Sequence, residues 1–218
     1  MPPLRFISIA EDTGLISDLC FAVLRQAIGE VREWGTEVSL AVNISAVQLR
    51  EPTFPQRLVQ LLVELGFPAR RLQVEITETA LIADMARTKA VVASLRNQGI
   101  RVVLDDFGTG FSSLHHLRAL PFDCIKIDRA FVGSVLDDAD SQAIVRAVMA
   151  LGSSLEIEVA AEGIENQEIE AALRAFNCQK GQGWHYSKPV AAAEAKRLIE
   201  PAGAEPGRRA GGLHSTAR

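Results

Sequence analysis

The sequence predicts an α/β fold in which parallel strands alternate with helices in the manner of a TIM-type barrel. Two observations predict it. Apolar periodicity switches repeatedly between strand-like and helix-like along most of the chain. A polar side chain also stands at or near the end of almost every strand-like run: Asn43, Glu75, Asp105 with Asp106, Lys126, Glu162 and Gln182. Strand ends on successive βα units converge at one mouth of a parallel barrel, where barrel enzymes keep their chemistry. A doubly wound sheet is the competing architecture, but its ligands gather at one switch point and its Gly-rich turn follows the first strand. Six strand-like runs leave the chain two short of a complete eight-stranded barrel.

The first strong helix is expected from about Leu15 to Trp34, with Leu19, Val23, Ala27 and Val31 on one face and Gly35 as its stop. VSLAVNIS follows as a strand. The next helix opens near Pro55, carries Leu58, Leu61, Leu62 and Leu65, and ends at Gly66, the usual Pro-early, Gly-late asymmetry. LQVEIT is a strand, and a helix from about Asp84 to Arg96 ends at Gly99. RVVLDDF reads as a strand buried on both faces. After a turn at Gly108 and Gly110, a helix Ser113–Leu120 stops at Pro121.

CIKIDRAF is the fourth strand, and Ser141–Leu155 a helix with Ile144, Val148, Leu151 and Leu155 in register. EVAAEGI is the fifth, before a helix Gln167–Phe176 capped by Asn166. GQGWHYS is the last strand and Ala192–Ile199 the last helix. Residues 1–200 form one domain in this reading. Residues 201–218, rich in Gly, Pro and Arg without apolar period, are expected to be disordered.

A chain of 218 residues with 48% hydrophobic content can bury a sizeable core. A net charge of −4 with interspersed signs gives no footprint for a nucleic acid polymer. Cys20, Cys124 and Cys178 are scattered among apolar neighbours with no Cys-x-x-Cys pair, which reads as buried reduced thiols. No signal pattern opens the chain and no apolar run is long enough to span a bilayer, so no membrane insertion and a cytoplasmic location are expected.

Carboxylates converging at one rim repel each other unless cations sit between them, so a metal site is the first hypothesis. Asp105 and Asp106 in LDDFGTGFSSL are the sharpest candidates. Adjacent carboxylates on a strand point to opposite faces, so only a terminating strand aims both at one site. A bridging and a terminal Asp suit a two-metal hydrolase with ions about 3.5–4 Å apart. The alternative is a pair of solvated turn residues. Glu75 and Glu78 lie three apart in VEITET. Glu75 can bind metal and Glu78 can hold a neighbouring loop, or both belong to an exposed acidic helix start.

Asn43 offers a carbonyl oxygen, which suits magnesium, manganese or calcium, or else simply forms a turn. Lys126 and Asp128 share a strand face two residues apart. Lys126 among carboxylates stays protonated and can position water or offset phosphate charge; the alternative is an ion pair with structural value alone. Glu162 precedes a Gly that opens a helix, where capping alone also attracts Glu. His115 and His116 diverge as helix neighbours, His185 stands alone, and zinc is not expected.

Taken in order, FISIAEDTGLI, AVNISAVQL, VEITET, LDDFGTGFSSL, KIDRAFV, AEGIE and QGWHYSKP closely resemble the EAL-domain family of cyclic di-GMP phosphodiesterases over about residues 5 to 200. The resemblance implies a modified (β/α)8 barrel, here lacking its first two strands. It implies hydrolysis of cyclic di-GMP to linear pGpG with two Mg2+ or Mn2+ ions. By motif, Asn43, Glu75 and Asp105 resemble ligands of the first metal, and Asp105 would bridge to the second with Asp106 beside it. Lys126 resembles the residue that positions the attacking water. Glu162 is similar to a further acidic residue of that network, and Gln182 to a nearby polar support. Gln182 and Asp128 are expected on the substrate side. Glu78 resembles the residue holding the loop from Asp106 through Ser113.

The family's name-giving Glu-Ala-Leu motif is absent from this sequence, and with it one expected metal ligand and a phosphate-contacting Arg. The start therefore reads as an internal methionine of a longer frame or a natural truncation, and a homodimer or partner chain is expected to cover the open sheet edges. Two other functions stay open. One is a non-catalytic module that binds cyclic di-GMP or a protein; the other is a metal-dependent lyase or isomerase with Lys126 as base.

Overall fold

Parallel strands separated by helices run through residues 3–35, 38–82, 85–109, 117, 120–199 and 214–215, the residues described in a computed structural model of the chain. They divide into two units, Met1–Asp105 with Gly110–Asp123, and Asp106–Thr109 with Cys124–Arg218. Among the described residues no helix is long and apolar enough to cross a membrane.

In the first unit, helices Pro3–Asp12 and Ile16–Val31 precede strand β1 (Leu40–Asn43). A short helix Ala46–Leu49 and the helix Phe54–Glu64 lead to β2 (Leu72–Thr77), and helices Glu78–Ile82 and Met85–Asn97 lead to β3 (Arg101–Phe107). The order β1-β2-β3 is parallel, with Asn43 opposite Glu75 and Thr77 opposite Asp105. Leu72, Val74, Glu75 and Ile76 of β2 are all buried, as are Val102, Val103, Leu104 and Asp105 of β3. Burial of consecutive residues means both faces are covered, as the apolar run RVVL leads one to expect. Phe54, Leu58, Leu24 and Ile28, at 1% exposure or less, supply the helical side of this core.

Arg71 ties the unit together. It is 4% exposed, its Nε donates to the Val38 carbonyl at 2.8 Å and its Nη2 to the Val31 carbonyl at 2.9 Å. It thus satisfies a carbonyl at the end of the helix Ile16–Val31, where the helix itself supplies no donor. Burial holds its pKa below the ordinary arginine value, with Arg70 adding to the effect. At the start of β3, Asp123 accepts the Val102 N–H at 2.8 Å and the Arg96 guanidinium at 2.9 Å.

In the second unit, β4 (Cys124–Ile127), β5 (Glu158–Ala161), β6 (Lys180–Gly181) and β7 (His214–Ser215) are parallel and adjacent in that order. Helices Arg129–Gly133, Ala139–Leu155, Gln167–Ala175 and Ala192–Ile199 alternate with them. Ile125, Ile127, Val145, Ala161, Ile164 and Leu173 form its core. Asn166 caps its helix as expected, its Oδ1 accepting the Ile169 N–H at 2.9 Å.

Three departures from the expected elements are physical. CIKIDRAF is not one strand: β4 stops at Ile127, because Asp128 Oδ1 accepts the Ala130 N–H at 2.8 Å and starts a helix. GQGWHYS is not a strand beyond Gly181; the chain curls around Ile164, which donates to the Gln182 carbonyl and accepts from the His185 N–H, both at 3.0 Å. The helix Pro3–Asp12 was not foreseen. The expected helix Ser113–Leu120 lies outside the described residues except for Leu117 and Leu120. In the tail, His214–Ser215 pair with β6, and the rest of residues 201–218 lies outside the described residues.

Arg71→Ala is expected to lower the unfolding free energy in a urea titration by about 3 kcal/mol, since it removes the guanidinium hydrogen bonds to the Val38 and Val31 carbonyls. Arg71→Lys should recover only part of that, because an ammonium cannot fork between two carbonyls. Asn166→Ala should cost about 1 kcal/mol in the same titration, and Asn166→Asp almost nothing.

Candidate active site

Parallel register decides which strand-end side chains share a face. In the first unit Asn43 and Glu75 are direct neighbours across β1 and β2, and Thr77 neighbours Asp105 across β2 and β3. Side chains two apart on a strand lie on one face, so Asn43, Glu75 and Asp105 ride the same side of these strand ends. Glu75 is 3% exposed and Asp105 2%, which removes the reading of both as solvated turn or helix-start residues. Asn43 is exposed on β1. Glu78 opens the helix Glu78–Ile82 and is buried, so it too is not an exposed helix start.

In the second unit Lys126 of β4 neighbours Ala160 of β5. Glu162 lies two residues beyond Ala160, on the same face, and its carboxylate Oε1 pairs with the Lys126 ammonium. The pair is buried, with Lys126 3% and Glu162 8% exposed. Lys126 thus reaches across to the next strand, while Asp128 is engaged as the cap of its own helix. Gln182 continues β6 beside Glu162: its N–H donates to the Ala161 carbonyl at 2.8 Å, and it is half-buried.

Asp106 departs from strand geometry. Its φ is 53°, a left-handed value uncommon outside glycine, and Thr109 Oγ1 donates to its carbonyl at 2.9 Å. That turn breaks the alternation that would send adjacent carboxylates to opposite faces. Asp106 and Glu162 accordingly offer carboxylate oxygens within 4.8 Å of each other, and Asp105, the preceding residue of β3, belongs to the same group. Oxygens on opposite sides of one magnesium- to calcium-sized ion are about 4–5 Å apart. The donor set is oxygen throughout, without His or Cys, which fits hard divalent cations.

The cysteines stand apart from this chemistry. All three are buried free thiols, and burial pushes Cys20 and Cys178 up from the usual thiol range, away from nucleophile character. The sequence reading missed the Lys126–Glu162 pairing and the Thr109 contact to Asp106. For the second, the Gly-Thr-Gly run after the paired aspartates was the available signal.

The family model described as "EAL domain" matches residues 1–189. An uncharacterized signaling protein of Caulobacter vibrioides is 44% identical over 190 residues, covering 87% of this chain and 24% of its own length. Cyclic di-GMP phosphodiesterase PdeR of Escherichia coli is 39% identical over 200 residues, covering 90% of this chain and 30% of its own. The chain thus spans about a quarter to a third of the length of these relatives. Among solved structures, "PaMucR Phosphodiesterase, c-di-GMP complex" matches with a TM-score of 0.85 at 32% identity, covering 89% of this chain and 81% of that one. That likeness establishes the barrel-type α/β fold expected from the sequence. With the strand-end acids in register and a family match over most of its length, the chain belongs to the EAL-domain family.

Proposed function

We propose that this chain is an EAL-type phosphodiesterase module that hydrolyses cyclic di-GMP to linear pGpG, with two magnesium or manganese ions held by Asn43, Glu75, Asp105 and Asp106, and with Glu162 as a further acidic residue of the metal and water network. The observation that carries the reading is the group of oxygens from Asp105, Asp106 and Glu162, with Lys126 paired to the last of them. The Escherichia coli relative is named a cyclic di-GMP phosphodiesterase, and the solved neighbour is a c-di-GMP complex, which supports the choice of substrate.

Bound ions would offset charge on the phosphate and make water a better nucleophile at neutral pH. The chain's own residues do the positioning. Lys126, held against Glu162, keeps its ammonium fixed where it can position a water or offset charge on a phosphate oxygen. Glu162 accepts a hydrogen bond from that water and so helps aim it in line with the scissile bond. Gln182, beside Glu162 in the register, offers amide groups to the nucleotide. Asp128 has one oxygen committed to its helix and meets substrate only through the other. Glu78 holds the segment that follows Asp106. A cytoplasmic setting and a homodimer or partner chain belong to this reading.

Asn43 favours a second reading. It is exposed on β1, a strand at the end of its sheet order. If that side of the site is not completed, the module binds cyclic di-GMP or a protein without hydrolysis.

Purified chain with Mn2+ should convert cyclic di-GMP to pGpG on ion-exchange chromatography, and chelation should abolish the product. No pGpG from soluble, monodisperse protein that still binds the nucleotide selects the second reading. Lys126→Met should lower kcat at least about 100-fold while nucleotide affinity changes little, since water positioning matters most in the transition state. An equal loss in binding would show that Lys126 holds substrate instead.

A further inference from the structure

In the second unit, both turns that carry acidic residues of the site pack against one short helix, Arg129–Gly133. The first turn is Asp106–Thr109. Gly108 has φ of 101°, and a Cβ there would lie 2.8 Å from Cε2 of Phe131, so this turn is pressed onto the ring. The second turn follows Glu162. Gly163 has φ of 73°, and a Cβ there would lie 2.5 Å from the Arg129 Cβ. Both positions need glycine twice over: for the left-handed backbone and for the close approach.

Residues two apart on a helix face different ways, so Arg129 and Phe131 set one turn on each side of the same element. The element itself is anchored. Asp128 caps its start, Val132 is fully buried, and Ser134 Oγ donates to the Ala130 carbonyl at 2.8 Å. It also continues directly from β4, which carries Lys126. One small helix therefore touches the backbone beside Asp106 and beside Glu162, and is covalently joined to the strand of Lys126.

We infer that the helix Arg129–Gly133 is the spacer that sets the separation of the Asp106 and Glu162 carboxylates, with Phe131 as its principal positioning residue. A divalent cation tolerates ligand distances within about 0.2 Å, whereas loss of the ring leaves the Asp106 turn room to move by more than that. Phe131 touches no reacting atom. It acts through Gly108 on where Asp106 points. The inference rests on the metal-site reading above and adds to it a residue that carries no charge.

The test is calorimetric titration of the full chain with Mn2+ alone, without nucleotide, paired with circular dichroism and melting of the metal-free protein. Phe131→Ala should weaken Mn2+ binding about 10–100-fold, the range seen when supports of metal ligands are removed, while Phe131→Tyr stays within about twofold of wild type. Folded Phe131→Ala with wild-type Mn2+ affinity overturns the inference, even if its melting temperature falls. Should Phe131→Ala not fold, Phe131→Leu decides: a several-fold loss of affinity supports the spacer, and no loss overturns it. Absence of Mn2+ binding by the wild type overturns the spacer and the metal site together. Mn2+ binding with the expected mutant pattern but no pGpG formation leaves the spacer standing and removes only the hydrolytic reading.

Discussion

Buried like charge is the constraint on which the rest of this structure depends. Four carboxylates, Glu75, Glu78, Asp105 and Glu162, are buried among the described residues, against two buried cations, Lys126 and Arg71. Arg71 spends its donors on backbone carbonyls at a helix end. Lys126 pairs with Glu162. Desolvated carboxylates are costly unless positive charge shares their site. Asp105 and Glu162 belong, with Asp106, to an oxygen-lined cluster of the kind that could hold a divalent cation.

The scaffold meets the constraint by separating two tasks. Parallel register brings Asn43, Glu75 and Asp105 to one face in the first unit, and Lys126, Glu162 and Gln182 to one face in the second. Register alone places side chains only to the nearest strand position. Finer placement comes from the turns, where positive φ at Asp106 re-aims a carboxylate that a regular strand would send elsewhere, and where Gly108 and Gly163 let the chain turn closely after Asp106 and Glu162. Phe131 packs against Gly108, two residues after the left-handed Asp106, and Arg129 against Gly163, next to Glu162.

Much of this was legible in the residues. A continuous apolar run marked β3 as buried on both faces, and Asn166 before Gln-Glu-Ile gave its helix cap. Polar residues closing successive strands pointed to one rim. Other features depend on partners far along the chain, which periodicity does not report. Arg71 caps a helix about 40 residues earlier, and Lys126 pairs with Glu162 rather than with its near neighbour Asp128. CIKIDRAF continues an apolar alternation past Ile127, so only the Asp128 cap reveals that the strand has ended. GQGWHYS carries the aromatic content of a strand, yet its backbone hydrogen bonds wrap Ile164.

In the proposed site, acids from separate strand ends share a divalent cation. Anomalous diffraction from a crystal grown with Mn2+ tests it most directly. The expected result is a manganese peak bounded by carboxylate oxygens of Asp105, Asp106 and Glu162, with the Lys126 ammonium still on Glu162. Saturating Mn2+ with no peak at those oxygens, or carboxylates turned apart with the ion held elsewhere, would contradict it.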